Sequence, residues 1–149
     1  MHLWTQEDAM QRTVERMLRT SPEPPFAAAD PLCACIHACV ECAQVCTACA
    51  DACVADHAPA LARTIRLTLD CADISSTASR ILSRQLEPDL PVVSMMLQLC
   101  AAVCDATASE CARHAEIHAH CDVCASACRR CMEACRTLLA TKVEPRRVH

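Results

Sequence analysis

The stretch CVECAQVCTACADAC, residues 39–53, places thiols at Cys39, Cys42, Cys46, Cys49 and Cys53, in steps of 3, 4, 3 and 4. The stretch CDVCASACRRCMEAC, residues 121–135, repeats those steps at Cys121, Cys124, Cys128, Cys131 and Cys135. An alternation of 3 and 4 averages 3.5 residues, the period of the inward seam of a helix in a left-handed bundle, so the thiols of each run face a shared core. Cys35 extends the first run backwards by one step of four. On another helical segment Cys100, Cys104 and Cys111 keep the frame, with Thr107 at the missing step. A further segment offers only Cys71, followed in frame by Ser75 and Ala78. Cys33 is offset from the stripe, as a far-end ligand or a cap on the core.

Working outward, Thr5 followed by Asp8 reads as a capped helix start, and Met10, Val14, Met17 and Leu18 share one face of a short amphipathic helix over about 5–20. Ser21-Pro22-Glu23-Pro24-Pro25 cannot continue it, because proline lacks the N–H and restricts its predecessor. Asp30-Pro31 is a second start signal, an N-cap aspartate with proline at the first helical position, for a helix to about Val54. Asp56 to Pro59 is a short turn. A helix from about Pro59 to Leu86 carries Leu61, Ile65, Leu69, Ile74, Ala78 and Ile81, and Glu87-Pro88 ends it. Asp89 to Pro91 opens a helix to about Arg113, a turn falls within 115–118, and the last helix runs from about His118 to Leu139. Four long helices with short connections pack as antiparallel neighbours. The expected fold is all-α, an antiparallel up-down-up-down four-helix bundle with an additional short N-terminal helix. Its parts are an N-terminal helix and Pro-rich linker over 1–29, the Cys-lined bundle over 30–141, and a charged tail over 142–149.

The 149 residues fit one compact domain, but its core is unusual, with 16 Cys, one Phe, one Trp, no Tyr and no Gly. Without glycine the chain has no phosphate-cradling or dinucleotide loop. A net charge of −4 with scattered basic residues argues against nucleic acid as a partner. The N-terminus shows no basic region followed by an apolar stretch, so no secretory signal is expected and the protein is placed in the cytosol. Uninterrupted apolar runs fall far short of the roughly 20 residues that span a bilayer, so no membrane helix is expected. In a reducing cytosol a cysteine-dense chain binds metal or does thiol chemistry rather than forming disulfides.

Thiols at i,i+3 and i,i+4 lie close enough to hold one metal from two sides. Soft thiolates select soft ions, which makes Cu(I) the first candidate and Zn(II) the competitor. Zinc prefers closed tetrahedral sites, commonly on loops, and a continuous helical stripe suits them poorly. About sixteen buried thiolates need neutralising, and roughly one monovalent copper per cysteine does so, giving multiple ions per chain. Without metal the neutral thiols pack as small hydrophobes. Intrahelical disulfides and cysteine as mere core filler are the competing structural readings. A zinc-handling or thiol-redox protein is the alternative function.

The turns near His57 and near His114 to His120 fall at the same bundle end, so four of the seven histidines gather at one mouth. His114 and His118 continue the thiol stripes by steps of three from Cys111 and Cys121, and His120 adjoins Cys121. They read as an entry port, against a merely solvated turn, with His57 the weakest member. Met95, Met96 and Met132 read as core filler rather than thioether ligands. No nucleophile–base constellation and no Glu-x-x-His pair appears, so no enzymatic activity is expected.

With these motifs in place, the region from about Asp30 to Thr141 resembles the cytosolic branch of the bacterial copper storage proteins. The resemblance rests on the two thiol stripes, the Asp56-His57-Ala58-Pro59 turn and the segment from His114 to His120. It implies a homotetramer of four-helix bundles, each storing Cu(I) down its axis, with the cysteines as ligands and His114, His118 and His120 assisting the outer sites. A copper chaperone is a candidate donor. The helix that offers only Cys71 departs from the pattern and lowers the expected capacity.

Overall fold

The computed structural model describes residues 6–141, with side chains from residue 9 onward. The expected cap at Thr5 and the charged tail from 142 lie outside the described residues. Helix α1 spans Gln6–Thr20, α2 Ala29–Ala55, α3 Ala62–Leu82, α4 Leu90–Ala112 and α5 Ala119–Ala140. Among the described residues there is no strand. Helix α2 packs on α3, α3 on α4, α4 on α5 and α5 back on α2, which closes the ring of an antiparallel four-helix bundle. Helix α1 lies outside the ring, against α2.

Each helix turns one stripe inward, and all four stripes follow the same alternation. On α2 it is Leu32, Cys35, Cys39, Cys42, Cys46, Cys49 and Cys53; on α5 it is Cys121, Cys124, Cys128, Cys131, Cys135 and Leu138. On α4 it is Val93, Leu97, Cys100, Cys104, Thr107 and Cys111. The α3 stripe differs from the sequence expectation. Its fully buried residues are Leu61, Thr64, Thr68, Cys71, Ser75, Ala78 and Leu82, whereas Leu69 is exposed and Ile65, Ile74 and Ile81 are only half-buried. Small residues win the axis because the four backbones approach closely around it. The bulkier β-branched side chains are left on the flanks, where two neighbouring helices diverge.

Apolar side chains close one end of the seam. Phe26, Val93, Leu97 and Leu138 line one cavity there, and the Phe26 N–H donates to Gln85 Oε1 at 3.1 Å, pinning the linker across the end. Gln85 in turn donates to Leu82 O at 2.8 Å, which ties up a carbonyl that the end of α3 leaves without a helical partner.

Three boundaries move. Helix α2 starts at Ala29 with Ala28 as N-cap, so Asp30 is a first-turn acid beside the helix dipole rather than the cap. Residues Pro59–Leu61 form a 3₁₀ turn before α3, which stops at Leu82, four residues before the expected Leu86. Asp89 does cap α4, its carboxylate accepting from Val92 N at 3.1 Å, with Pro91 in the first turn. With no glycine in the chain, left-handed backbone falls to His57 (φ 51°), just after α2, and Glu87 (φ 44°), just before the Asp89 cap of α4.

By length and mean hydropathy, α2 and α4 meet the requirement for crossing a bilayer, contrary to the expectation from uninterrupted apolar runs. Alanine and cysteine supply much of that hydropathy. Half of the apolar window of α2 is buried inside the bundle, against a third for α4. The outer face of α4 keeps Val92, Met95 and Leu99 exposed, a stripe at helical spacing.

Candidate metal centre

All 16 cysteines are free thiols and all are buried, most of them completely. None of them is joined in a disulfide. The sulfurs of the four inward stripes meet along the axis. Cys42 lies at the hub, its Sγ 3.8 Å from Cys46, 3.7 Å from Cys71 on α3, 3.9 Å from Cys104 on α4 and 3.9 Å from Cys128 on α5. Toward the apolar end follow Cys39–Cys131 at 3.7 Å, Cys100–Cys131 at 3.9 Å and Cys35–Cys135 at 3.8 Å. Toward the other end, Cys46 approaches Cys128 at 3.5 Å and Cys124 at 3.7 Å. The sulfurs of Cys49, Cys111 and Cys124 form one group within 4.8 Å.

These spacings are those of shared soft-metal ligands. With metal–sulfur bonds of about 2.3 Å, two sulfurs on one ion are about 4.0 Å apart in a trigonal site and about 3.8 Å in a tetrahedral one. The groups overlap as well: Cys42 belongs both with Cys46, Cys71 and Cys128 and with Cys104 and Cys131, and Cys131 also joins Cys39, Cys100 and Cys135. A sulfur in two groups can bridge two ions. Cys33 stands apart, its Sγ 3.6 Å from Gln11 O of α1. Its offset from the stripe turns it toward the outer helix rather than the axis.

The thiols share protons. Hydrogen bonds with Cys104 and Cys128 hold Cys42 below the ordinary thiol range, and hydrogen bonds with Cys100 and Cys124 respectively push Cys104 and Cys128 above it. Nearer the open end, burial lifts Cys53 to about 12 and Cys121 to about 11. A hydrogen bond with Cys111, followed by burial, outweighs an opposing one from Cys124 and lifts Cys49 to about 12.

On the α3 side, hydroxyls interrupt the lattice. Ser75 Oγ is 3.9 Å from Cys71 Sγ, 3.8 Å from Cys100 Sγ and 4.0 Å from Cys104 Sγ. Thr68 donates to Thr64 O at 2.8 Å and Thr107 to Val103 O at 2.7 Å, so both hydroxyls satisfy themselves on their own helix.

The histidine turn and the Asp56 turn meet at one end, as the topology requires. His120 Nδ1 faces three sulfurs, Cys49 at 3.4 Å, Cys121 at 3.6 Å and Cys53 at 3.9 Å, and these four residues form one potential metal site. His120 Nε2 and His118 Nδ1 each lie 2.7 Å from the same oxygen, Asp56 Oδ2. Those histidines hold the Asp56 carboxyl below its usual range, the His120 hydrogen bond contributing most. His114 Nε2 lies 3.3 Å from Glu110 Oε1, and its ring is 6.5 Å from that of His118, edge to face. Exposed His57 lines a shallow cavity with Cys53, Ala58 and Pro59.

Asp56 and Glu110 carry this end, and the sequence reading missed both as site residues. Asp56 could have been found from its place opposite the histidine turn. Glu110 sits one position off the inward frame beside Cys111, where a surface residue is expected, yet it is buried. It accepts from Thr64 Oγ1 at 3.4 Å and pairs with Arg113 at 3.1 Å and Arg63 at 3.5 Å. Burial alone raises its pKa, but His114 and Arg113 together hold it below the usual carboxylate range.

A helical bundle whose axis is a run of overlapping thiol groups, closed by apolar side chains at one end and by histidines at the other, defines a class: a soft-metal container. Comparison with known proteins specifies it. Residues 28–140 match the family model described as copper storage protein, and the chain belongs to that family. A copper storage protein from Streptomyces lividans, Ccsp, loaded with 10 copper equivalents, is 47% identical, with a TM-score of 0.79, covering 85% of this chain and 98% of its own. The copper storage protein of that organism is also described as cytosolic. The Cu(I)-bound copper storage protein BsCsp3 is 37% identical, with a TM-score of 0.61, covering 72% of this chain and 96% of its own. The cysteine-rich protein YhjQ of Bacillus subtilis (strain 168), described as uncharacterized, is 37% identical over 108 residues, 72% of this chain and 94% of its length.

Proposed function

We propose that this chain stores and buffers many Cu(I) ions in the cytosol, holding them on the thiolates that line the bundle axis. The observation that carries the reading is that successive thiol groups from Cys35 to the His120 end either share a sulfur or touch through the Cys35–Cys135 and Cys46–Cys124 contacts, which makes the axis one continuous ligand array. Charge then selects the ion. A divalent ion on four unshared thiolates leaves two negative charges in a low-dielectric core, whereas monovalent copper at about one per bridging thiolate leaves none. In this reading copper is the cargo and the chain performs no reaction on it.

The ligands in this reading are Cys35, Cys39, Cys42, Cys46, Cys49, Cys53, Cys71, Cys100, Cys104, Cys111, Cys121, Cys124, Cys128, Cys131 and Cys135, and His120 Nδ1 completes the outermost group. His114 and His118 form the port through which copper enters from a donor such as a chaperone. The exposed stripe Val92, Met95 and Leu99 supports self-association, in keeping with a homotetramer. Anaerobic titration of reduced protein with Cu(I), and separately with Zn(II), against a competing chelator tests the function. Tight uptake of about one Cu(I) per axial sulfur is expected; saturation at a few coppers, or preference for zinc, would reject storage.

A further inference from the structure

We infer that Asp56 and Glu110 are positioning residues for copper capture: each carboxylate fixes which nitrogen of a mouth histidine carries the proton and so which one is free to take metal. The inference rests on the storage reading and adds two residues that hold no copper themselves.

A neutral imidazole has one N–H and one lone pair, and a carboxylate beside one nitrogen draws the N–H to it. Asp56 Oδ2 lies 2.7 Å from His120 Nε2, so Nε2 donates and the Nδ1 lone pair points at the sulfurs of Cys49, Cys53 and Cys121. The same oxygen lies 2.7 Å from His118 Nδ1, so His118 donates through Nδ1 and keeps Nε2 free. The two neighbouring histidines therefore hold opposite tautomers, set by one oxygen atom.

Glu110 does the equivalent for His114, accepting from Nε2 and leaving Nδ1 free. The cost of burying this carboxylate is offset by Thr64, Arg63 and Arg113, which clamp it between α3 and α4. A clamp that served only to join two helices would not need a histidine among its partners. Here the clamp fixes His114, the histidine of the segment from 114 to 120 that Asp56 does not hold. Carboxylate partners of metal-binding histidines orient the ring and raise its basicity, and removing them costs about 10–100-fold in affinity or activity.

The test uses the full reduced protein without oxygen and follows copper transfer from a coloured Cu(I)–bicinchoninate complex. Asp56→Ala and Glu110→Ala are expected to slow the initial transfer about tenfold or more while the saturating copper count stays within about one ion of the unmodified protein. Glu110→Ala added to His114→Ala is expected to produce no further slowing, because the carboxylate acts through that ring. Nitrogen-15 shifts of the copper-free protein should show protonated Nε2 at His120 and protonated Nδ1 at His118, both turning into tautomer mixtures in Asp56→Ala. Unchanged transfer rates, an equal further loss in the double variant, or unchanged tautomers overturns the inference. Should Glu110→Ala not fold, Glu110→Gln, which keeps an accepting oxygen but no charge, takes its place, with slower transfer expected and an unchanged rate counting against the idea. If the unmodified protein takes up only a few coppers, the storage reading falls, and the tautomers still decide the role of the carboxylates.

Discussion

Replacing Cys42 with alanine tests the lattice at its most connected point. Its Sγ lies within 3.7–3.9 Å of sulfurs on its own helix and on all three others. Without copper, the variant loses one buried sulfur from a close-packed axis, a truncation that costs about 1–2 kcal/mol and leaves the bundle folded. With copper the loss is a matter of charge. One thiolate fewer means one monovalent ion fewer, and because a bridging sulfur serves two ions, each of its two sites loses one ligand. Capacity should therefore fall by about one copper and by no more than about two. Native mass spectrometry after anaerobic saturation counts the ions directly. Cys33→Ala is the control, since that thiol faces Gln11 O of α1 rather than the axis, and its count should not change. A Cys42→Ala variant that binds as many coppers as the parent, or a Cys33→Ala variant that loses as many as Cys42→Ala, would refute the reasoning.

Ser75→Cys would place a sulfur beside Cys71, Cys100 and Cys104, and is expected to add about one copper by the same mass measurement; no gain would mean that the α3 wall is not a ligand surface. Copper-free protein should lose stability as pH rises from 9 toward 12. Cys49, Cys53 and Cys121 keep their protons to about 12, 12 and 11 when folded, while the unfolded thiols release theirs near the ordinary value of 9.0. The folded state then binds more protons in that window, so thermal melting of reduced protein should fall there, and a flat profile would count against buried neutral thiols. Glu87→Gly relieves a left-handed position worth about 1–2 kcal/mol but adds about 0.5–1 kcal/mol of unfolded-chain entropy. A small rise in melting temperature, of about 2–4 °C, is the expected result, and a fall would contradict it.

The two cysteine repeats made the bundle and its axis legible, because a 3,4 alternation has one structural meaning when thiols alone occupy it. Cys71 with Ser75 and Ala78 in frame likewise located the inner face of α3. The apolar residues of that helix misled, since Leu69 and the isoleucines follow a helical period but sit on the outside or the flanks. Large side chains mark a core only where there is room for them. The end of α3 was also hidden: nothing in the sequence stops a helix at Leu82 before Pro88, and what stops it is Gln85 turning back to bind Leu82 O and the Phe26 N–H. The contact with Phe26 spans 59 residues of sequence, beyond any local pattern. At the mouth, the gathering of histidines followed from topology alone, but their division between Asp56 and Glu110 did not. Which ring nitrogen meets which carboxylate depends on distances that only the folded chain sets.

Anomalous diffraction at the copper edge from crystals of the reduced, fully loaded protein tests the central claim most directly. Copper should form a file along the axis from the Cys35–Cys135 level to the Cys49–Cys121–His120 group, every ion bound by cysteine sulfurs from at least two helices. Copper scattered on the outer surface, or confined to the mouth with the Cys42 level empty, would contradict it.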